Sequence, residues 1–251
     1  MRHVTLLLAT FAAAVGMACA ASTPHQAATV PQSRVADSLK TIALDPVCPC
    51  GLPADLRAID PHRGKFDSLL TAELSNAGFG VVPAAESQAI WDRLTDSLGG
   101  LFDPVSGQVD TTRYRKVRAL TLRELQQRFH VDAWLHPIIV LAPADFRRGT
   151  AKWDGTKQAF GRKLFGITLG TTYGTTPALS LHVIVEGMDG KVLFDTQAGL
   201  QLYQVPSGNG FVRIPDAQLY TDQERNAAAV RLALAPLLAH TALQRRSSDQ
   251  Q

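Results

Sequence analysis

The sequence predicts an α/β (α+β) fold, with a single mixed sheet, helices packed on it and an antiparallel hairpin in its second half. Two patterns support this prediction. Strand-like and helix-like segments alternate between residues 41 and 141, which is typical of an α/β layer. From Leu179 to Val185 apolar residues then occupy every second position, and a turn-forming stretch follows at residues 186–190, which is typical of antiparallel strands.

Short strands and helices make up the first half. Residues 41–44 form an apolar run that ends at an Asp-Pro dipeptide, which predicts a buried strand. Apolar residues at helical spacing predict a helix over residues 66–77, and Gly78 stands where a left-handed cap is favoured. Residues 79–83 then predict a second strand, and residues 86–98 a second helix.

A capping box and a long strand follow. Helical character returns at Thr111, and Thr121 and Glu124 have the spacing of a capping box, which predicts that a helix begins there. Residues 131–141 predict a long strand. Pro137 interrupts this strand, which indicates an edge position or a bulge, because proline cannot donate to the sheet ladder.

Two later segments each allow two interpretations. Residues 222–243 predict a closing helix, which Pro236 should either kink or interrupt so that it restarts. Residues 164–174 alternate small and larger residues, which fits a half-buried strand that lets another backbone come close. The other interpretation is a hairpin that forms oligomers or inserts into a membrane, with Phe165 and Tyr173 as partner-binding candidates. We favour the strand.

The first 20 residues have the layout of a bacterial secretory signal peptide. Arg2 supplies a positive charge, residues 4–15 form an apolar run, and small residues surround Cys19. The apolar run is much shorter than the roughly 20 residues that a membrane-spanning helix needs. The chain is therefore expected to be exported.

Two forms of the mature N-terminus fit this segment. Residues 18–20 satisfy the small-x-small rule for a soluble product that begins at Ala21. Residues 17–19 instead resemble the lipobox of bacterial lipoproteins, in which the cysteine becomes the acylated first residue. We favour lipidation of Cys19, because a cysteine is uncommon in a small-residue cleavage site. Ala20 lacks the Asp that often marks inner-membrane retention, which favours an outer-membrane lipoprotein on the periplasmic side.

The rest of the chain divides into three parts. Residues 21–38 are polar and contain two prolines, which predicts a flexible tether. Residues 39–243 are long enough for a single α/β domain, and residues 244–251 form a polar tail. The formal net charge of +3 is too small to indicate nucleic acid as a partner.

Cys48 and Cys50 are the only cysteines outside the signal peptide. In an oxidising compartment a disulfide between them is the first expectation, although unpaired thiols remain open. Redox motifs usually place two residues between the cysteines, and two thiolates alone make an incomplete zinc site. We therefore expect a disulfide or thiol pair with a structural role.

The sequence carries few signs of catalytic or metal-binding activity. The sequence contains no nucleophile elbow, zinc-protease helix, phosphate-binding loop or dinucleotide fingerprint. Asp55, Asp60 and His62 follow the cysteines, and with them could form a mixed metal cluster or supply a base to a thiol. Trp153 precedes a loop and either anchors a partner or covers the end of the sheet. No cofactor is expected.

The order of elements and three phrases resemble a group of envelope α/β domains. The phrases are Ile-Ala-Leu-Asp-Pro at residues 42–46, Ala-Gly-Phe at residues 77–79 and Val-Asp-Ala-Trp at residues 131–134. The group includes the curli secretion lipoprotein, the lipoprotein activators of peptidoglycan synthases and the amino-terminal domain of the Tol-Pal translocation protein. The resemblance covers roughly residues 36–243. It implies a non-catalytic adaptor, regulator or pore subunit, and no partner-binding motif is carried over.

These observations favour a non-enzymatic envelope lipoprotein that binds another envelope protein and reaches the membrane through its lipid anchor. The first alternative is a metal-binding or thiol-dependent envelope enzyme centred on Cys48 and Cys50. The second is a secretion subunit that forms homo-oligomers through residues 164–174. Because the chain lacks an evident pair of long amphipathic hairpins, a curli-type pore is disfavoured.

Overall fold

The computed structural model describes residues 39–52, 62–104, 106–160, 163–164, 167–168, 173–207 and 210–248. The strands are β1 (Thr41–Leu44), β2 (Cys48–Gly51), β3 (Gly80–Val82), β4 (Ala133–Arg147), β5 (Thr150–Trp153), β6 (Thr156–Ala159), β7 (Lys163–Leu164), β8 (Ile167–Thr168), β9 (Tyr173–Gly187), β10 (Val192–Leu202), β11 (Gln204–Ser207) and β12 (Gly210–Arg213). The helices are α1 (Arg63–Asn76), α2 (Ala84–Ser97), α3 (Thr111–Phe129) and α4 (Gln223–Ser248), with a 3₁₀ turn at Asp216–Gln218.

β4 lies at the centre of the main sheet, whose order is β10-β9-β4-β1-β3. On one side β4 pairs in parallel first with β1 and then with β2. On the other side it pairs with β9 in antiparallel register over its whole length, and β9 pairs with β10 in the hairpin. The predicted mixed α/β sheet with an antiparallel hairpin in the second half is therefore confirmed.

Helices cover both faces of the sheet. On one face α1 and α4 pack against Ile42, Leu135 and the odd-numbered residues of β9, such as Leu181. On the other face α2 and α3 pack against Ala43 and Trp134. Strand residues alternate between the two faces, and for this reason neighbours in the sequence belong to different cores.

α1 ends as predicted. The Gly78 N–H donates to the Ser75 carbonyl at 2.9 Å, and the Phe79 N–H donates to the Leu74 carbonyl at 3.1 Å. This pair of bonds is a Schellman motif, and it requires the left-handed φ of +95° that Gly78 adopts. The motif turns the chain directly from α1 into the neighbouring strand β3.

The capping box predicted at Thr121 was wrong. α3 begins ten residues earlier, where the Asp110 carboxylate accepts hydrogen bonds from the Thr112 and Arg113 N–H groups, both at 3.0 Å. Thr121 is buried inside the helix, and its hydroxyl donates to the Val117 carbonyl. A threonine followed by a glutamate caps a helix only where the preceding backbone is extended, and here that backbone is already helical.

The edge position or bulge predicted for Pro137 was also wrong, because β4 is the central strand and its register with β9 is unbroken. β1 pairs with β4 as far as Leu135, and β2 begins to pair at Ile138. Pro137 therefore lies at the interruption between the two strands, where that side of β4 needs no ladder donor.

A third, smaller core lies at the far end of β4. The β5–β6 hairpin folds back so that Ala151 and Trp153 pack against Phe146, Ala178 and other residues of the long strands. β7 and β8 pair in antiparallel register, with Leu164 opposite Ile167, so the single strand predicted over residues 164–174 does not run through these two segments. Residues 165, 166 and 169–172 lie outside the described residues.

The closing helix is longer than predicted. α4 runs without restarting past Pro236 and continues to Ser248, beyond the predicted end at residue 243. Its buried residues pack on the sheet beside α1. Among the described residues no helix is long and apolar enough to cross a membrane.

Candidate functional site

An open cleft of about 510 Å³ lies where α2 and α3 leave one face of the sheet uncovered. Its floor is formed by β4 and β9, and the chain between Asp45 and Cys50 lines it as well. The side chains with the most distinctive chemistry are those of Asp45, Trp91, Tyr114, Arg118, His136 and Glu186. Its volume falls in the range typical of ligand-binding clefts.

Strand alternation decides which side chains reach this cleft. In β4, Leu135 and Ile139 face the core under α1 and α4, whereas Trp134, His136 and Ile138 face the opposite layer. α2 and α3 bury Trp134 but leave His136 and Ile138 half-buried. The cleft is thus the part of this sheet face that the helices do not cover.

Four charged side chains form a row across the cleft. Asp45 Oδ1 accepts a hydrogen bond from Trp134 Nε1 at 2.8 Å, and Asp45 Oδ2 lies 2.6 Å from His136 Nδ1. On the other side of the ring, His136 Nε2 lies 3.5 Å from Glu186 Oε2, which also forms an ion pair with Arg118. The row alternates between carboxylate and cation.

The protonation states follow from this arrangement. Burial by itself lowers the pKa of His136, but the hydrogen bonds and charges of Asp45 and Glu186 outweigh it and raise the pKa to about 9. Burial likewise raises the pKa of Glu186, but the bonds and charges of His136 and Arg118 prevail and lower that pKa below its usual value. At neutral pH His136 is therefore an imidazolium, and the row carries no net charge.

Aromatic rings line the rest of the cleft. The Trp91 ring lies 5.6 Å from the Tyr114 ring and 6.1 Å from the Trp134 ring, measured between centroids. Trp134 is only 1% exposed and lies against the Trp91 ring. Tyr114 is 42% exposed, and Trp91 is partly exposed. These two rings can therefore contact a bound molecule, and aromatic side chains dominate the energetics of many interfaces.

Cys48 and Cys50 are joined by a disulfide beside the cleft, with their Cα atoms 5.2 Å apart. The Cys50 N–H donates to Cys48 Sγ at 3.1 Å. Pro49 is buried and Cys50 is exposed, so the bridge holds a tight bend in β2. In this state both sulfurs are bonded, and neither is a thiolate that could attack a substrate or bind a metal.

His136 is not arranged as a general base. A general base needs an unprotonated acceptor atom directed at the substrate, whereas both ring nitrogens of His136 face carboxylates. Across the described part of the chain, no group of three or more His, Cys, Asp or Glu is arranged to hold a metal. The predicted cluster cannot be followed further, because Asp55 and Asp60 lie outside the described residues, and His62 packs 5.6 Å from Tyr220.

The predicted partner-binding residues lie elsewhere. Trp153 is 5% exposed, and its Nε1 donates to the Leu179 carbonyl at 3.2 Å, so it covers the end of the sheet. Tyr173 is 77% exposed at the start of β9. Phe165 and the lipidation candidate Cys19 lie outside the described residues.

Sequence reasoning missed the charged row. Trp134 and His136 lie on the strand predicted over residues 131–141, where the histidine interrupts a mostly apolar run. Glu186 was placed in the predicted turn at residues 186–190, whereas the structure includes it in β9. Asp45 directly follows a buried strand, which was a second signal. Their convergence depends on the pairing of Trp134 with Glu186 across β4 and β9. This register is a tertiary property that the spacing of residues along the chain does not contain.

Comparison with known proteins gives a distant likeness to a solved structure. No family model matches the chain, and no curated protein matches it. Among solved structures, lipoprotein GNA1162 from Neisseria meningitidis matches with 18% identity and a TM-score of 0.31, over 64% of this chain and 81% of that one.

Proposed function

We propose that the protein is a non-enzymatic envelope lipoprotein: a domain tethered through acylated Cys19 that binds a segment of another envelope protein in the cleft. The signal-like residues 1–20 and the polar residues 21–38 support the anchor and the tether. An acyl chain holds a domain at a membrane by burying methylene groups, so the tethered domain needs no spanning helix.

The observation that carries the binding role is the mutual neutralisation of the charged row. Each charged group from Asp45 to Arg118 is paired within the row, whereas the Trp91 and Tyr114 rings remain accessible. A site with this composition gains free energy mainly by covering aromatic surface.

The cleft chemistry also indicates the kind of segment that fits. Because the row carries no net charge, a charged segment would lose hydration without gaining a partner. The floor continues over the half-buried Ile138 and Ile184, and Val192 is 56% exposed beside them. We therefore infer that the occupant is an extended polypeptide segment with apolar side chains.

Site-specific photocrosslinking in intact cell envelopes tests this role. A photoreactive amino acid at Tyr114, inside the cleft, should yield a discrete adduct with one envelope protein. The matched control is Gln127, which is exposed on the same helix and is not among the residues that line the cleft. Equal adducts at both positions, or none at Tyr114, would contradict the proposal, as would the recovery of a small molecule alone from the cleft.

Mass spectrometry of the mature N-terminus tests the anchor. The expected product begins at Cys19 and carries acyl chains, and Cys19→Ala should release the domain from the membrane fraction. A mature protein that begins at an unmodified Ala21 would refute the lipoprotein assignment and leave the cleft proposal standing.

A further inference from the structure

Positive charge is concentrated at the far end of the long strands, away from the cleft. Residues 145–163 contain six Lys or Arg and two Asp, an excess of positive charge larger than the +3 of the whole chain. The cations of this stretch whose side chains the structure describes are Arg147, Arg148, Lys152 and Lys157, and all four are exposed. None of the four has an ion pair within 4 Å among the described residues.

Strand register places three of these cations on one surface. Arg147 lies opposite Tyr173 in β9, and Asp145 lies opposite Lys152 in β5. Lys152 in turn lies opposite Lys157 in β6. Because directly paired residues point to the same face, Arg147, Lys152, Lys157 and Tyr173 share the outer face of the sheet. We name this surface the basic tip.

The basic tip holds like charges together at a cost to the fold. Two lysines directly opposite each other on neighbouring strands repel, as Lys152 and Lys157 do here. Asp145 lies opposite Lys152 on this face and also accepts from the Thr175 hydroxyl at 3.1 Å, whereas Asp154 accepts from the Ser180 hydroxyl at 2.6 Å. With Asp145 included, the face still carries more positive than negative charge, which an anion from outside the protein would balance.

α3 shows that an excess of positive charge alone does not make such a surface. Residues 110–128 also contain six Lys or Arg and two acidic residues. There, however, Arg113, Arg118 and Arg128 are each paired with a carboxylate. Half of the cations of α3 are thus neutralised, and its exposed ring, Tyr114, lines the cleft. In the basic tip none of Arg147, Lys152 and Lys157 has an ion pair with a described residue, and Tyr173 lies on the same face.

We propose that the basic tip docks on an anionic phospholipid surface and thereby orients the domain. Lysine and arginine are attracted to phosphate headgroups, and tyrosine is enriched at the membrane–water interface. Tyr173, which is 77% exposed beside Arg147, supplies the interfacial ring. The combination of cations and an exposed ring favours a lipid surface over a soluble polyanion.

Chain length permits this contact, an argument that rests on the proposed anchor at Cys19. The described chain begins at Leu39, beside Asp132 at the start of β4, and the basic tip lies at the end of the same strand. Fifteen strand residues span roughly 50 Å. The chain from Cys19 to Leu39 reaches about 70 Å when extended, so anchor and tip can meet the same membrane.

Vesicle co-sedimentation tests the tip independently of the anchor. The mature chain from Ala21 onward, made without acyl chains, is mixed with vesicles of phosphatidylcholine alone or with added phosphatidylglycerol. Binding is expected only with phosphatidylglycerol and should weaken at high salt. Each basic residue near such a surface contributes roughly five-fold, so Arg147→Gln/Lys152→Gln/Lys157→Gln should weaken binding about 100-fold.

The matched control removes the same charge elsewhere. Arg115, Lys116 and Arg123 are exposed on α3, and Arg115→Gln/Lys116→Gln/Arg123→Gln should change binding by less than about three-fold. Thermal unfolding of both variants shows whether they fold; relief of the Lys152–Lys157 repulsion should keep the tip variant at least as stable as the parent. Fluorescence of Tyr173→Trp should shift to the blue on phosphatidylglycerol vesicles.

Three outcomes would overturn the proposal: no binding to phosphatidylglycerol vesicles, equal losses in the two triple variants, or equally strong binding to soluble polyglutamate. None of these outcomes affects the acylation of Cys19 or the adducts formed in the cleft. The tip proposal and the proposed function can therefore fail separately.

Discussion

His136 occupies the middle of the charged row, and its protonation holds the row together. With the proton, Asp45, His136, Glu186 and Arg118 alternate in sign, and each ring nitrogen of His136 faces a carboxylate. Without the proton, the carboxylates of Asp45 and Glu186 lie on either side of a neutral, partly buried imidazole that no longer balances their charge. Removing one member of a buried set of charges is costly, because it leaves the others uncompensated.

Stability should therefore fall as pH rises. The folded pKa of His136 is about 9 and the unfolded value is 6.5, so the contribution is complete below pH 6.5 and is lost as pH rises through about 9. We expect a loss of roughly 3 kcal/mol across this window, measured by urea unfolding. His136→Gln should remove most of this pH dependence; the same slope in both proteins would show that other groups cause it.

Gly199 lies where the third core leaves no room for a side chain. A Cβ at this position would lie 2.6 Å from Trp153 Nε1 and 2.7 Å from Thr156 Cβ. The indole also donates to Leu179, and the Gly199 carbonyl accepts from the Thr156 hydroxyl, so neither neighbour is free to move away.

Gly199→Ala should therefore destabilise the protein by about 1–3 kcal/mol, the usual cost of overpacking. Gly64→Ala is the matched control, because Gly64 lies in α1 with nothing within 4 Å of the added atom. This control should be neutral or stabilise by up to about 1 kcal/mol. Chemical denaturation measures both, and equal effects would contradict the packing argument.

α3 shows at the level of one element how the start of a helix is selected. Asp110 satisfies two N–H groups of the first turn, whereas Thr121, with the spacing of a capping box, is buried in the middle of the helix. From this start, α3 places Tyr114 and Arg118 at the cleft. The cap therefore helps to position the site.

Asp110→Ala should cost about 1 kcal/mol of unfolding free energy, because two N–H groups lose their acceptor. Asp110→Asn should retain most of the stability, since asparagine caps nearly as well. Equilibrium denaturation compares the two. If both variants lose the same amount, the ion pair with Arg113 and not the cap would be the source of the stability.

At the scale of the whole molecule, the sheet is held by two layers of helices and not by its disulfide. Two large cores lie on opposite faces of the sheet, and β4 takes part in both. The Cys48–Cys50 bridge spans a sequence separation of 2 and so closes a very short loop. A cross-link across so short a loop restricts the unfolded chain little.

Reduction of the bridge should lower the unfolding free energy by no more than about 1.5 kcal/mol, and unfolding should remain cooperative. Cys48→Ala/Cys50→Ala should behave in the same way. Thiol titration of the unreduced mature domain should find neither cysteine free. Loss of cooperative unfolding on reduction, or stoichiometric zinc lost in the double variant, would favour the metal or thiol alternative.

Features that depend on neighbouring residues were predicted correctly from the sequence, whereas features that depend on residues far apart in the chain were not. α1 ends through bonds from the Gly78 and Phe79 N–H groups to carbonyls three and five positions earlier in the chain, and the pattern from Leu179 to Val185 shows a strand whose faces differ. Such features are local. Pro137 and Thr121 were misjudged, because the gap between β1 and β2 and the helix already begun at Asp110 decide their roles.

The sequence by itself determined the α/β class, the order of most elements and the expected N-terminal signal, since each depends on periodicity or on neighbouring residues. Only the tertiary structure decided that Asp45, His136, Glu186 and Arg118 form one row, and that Arg147, Lys152, Lys157 and Tyr173 share one surface. These sets combine residues from different elements, and strand register brings them together. A shift of one residue would turn each strand side chain to the opposite face.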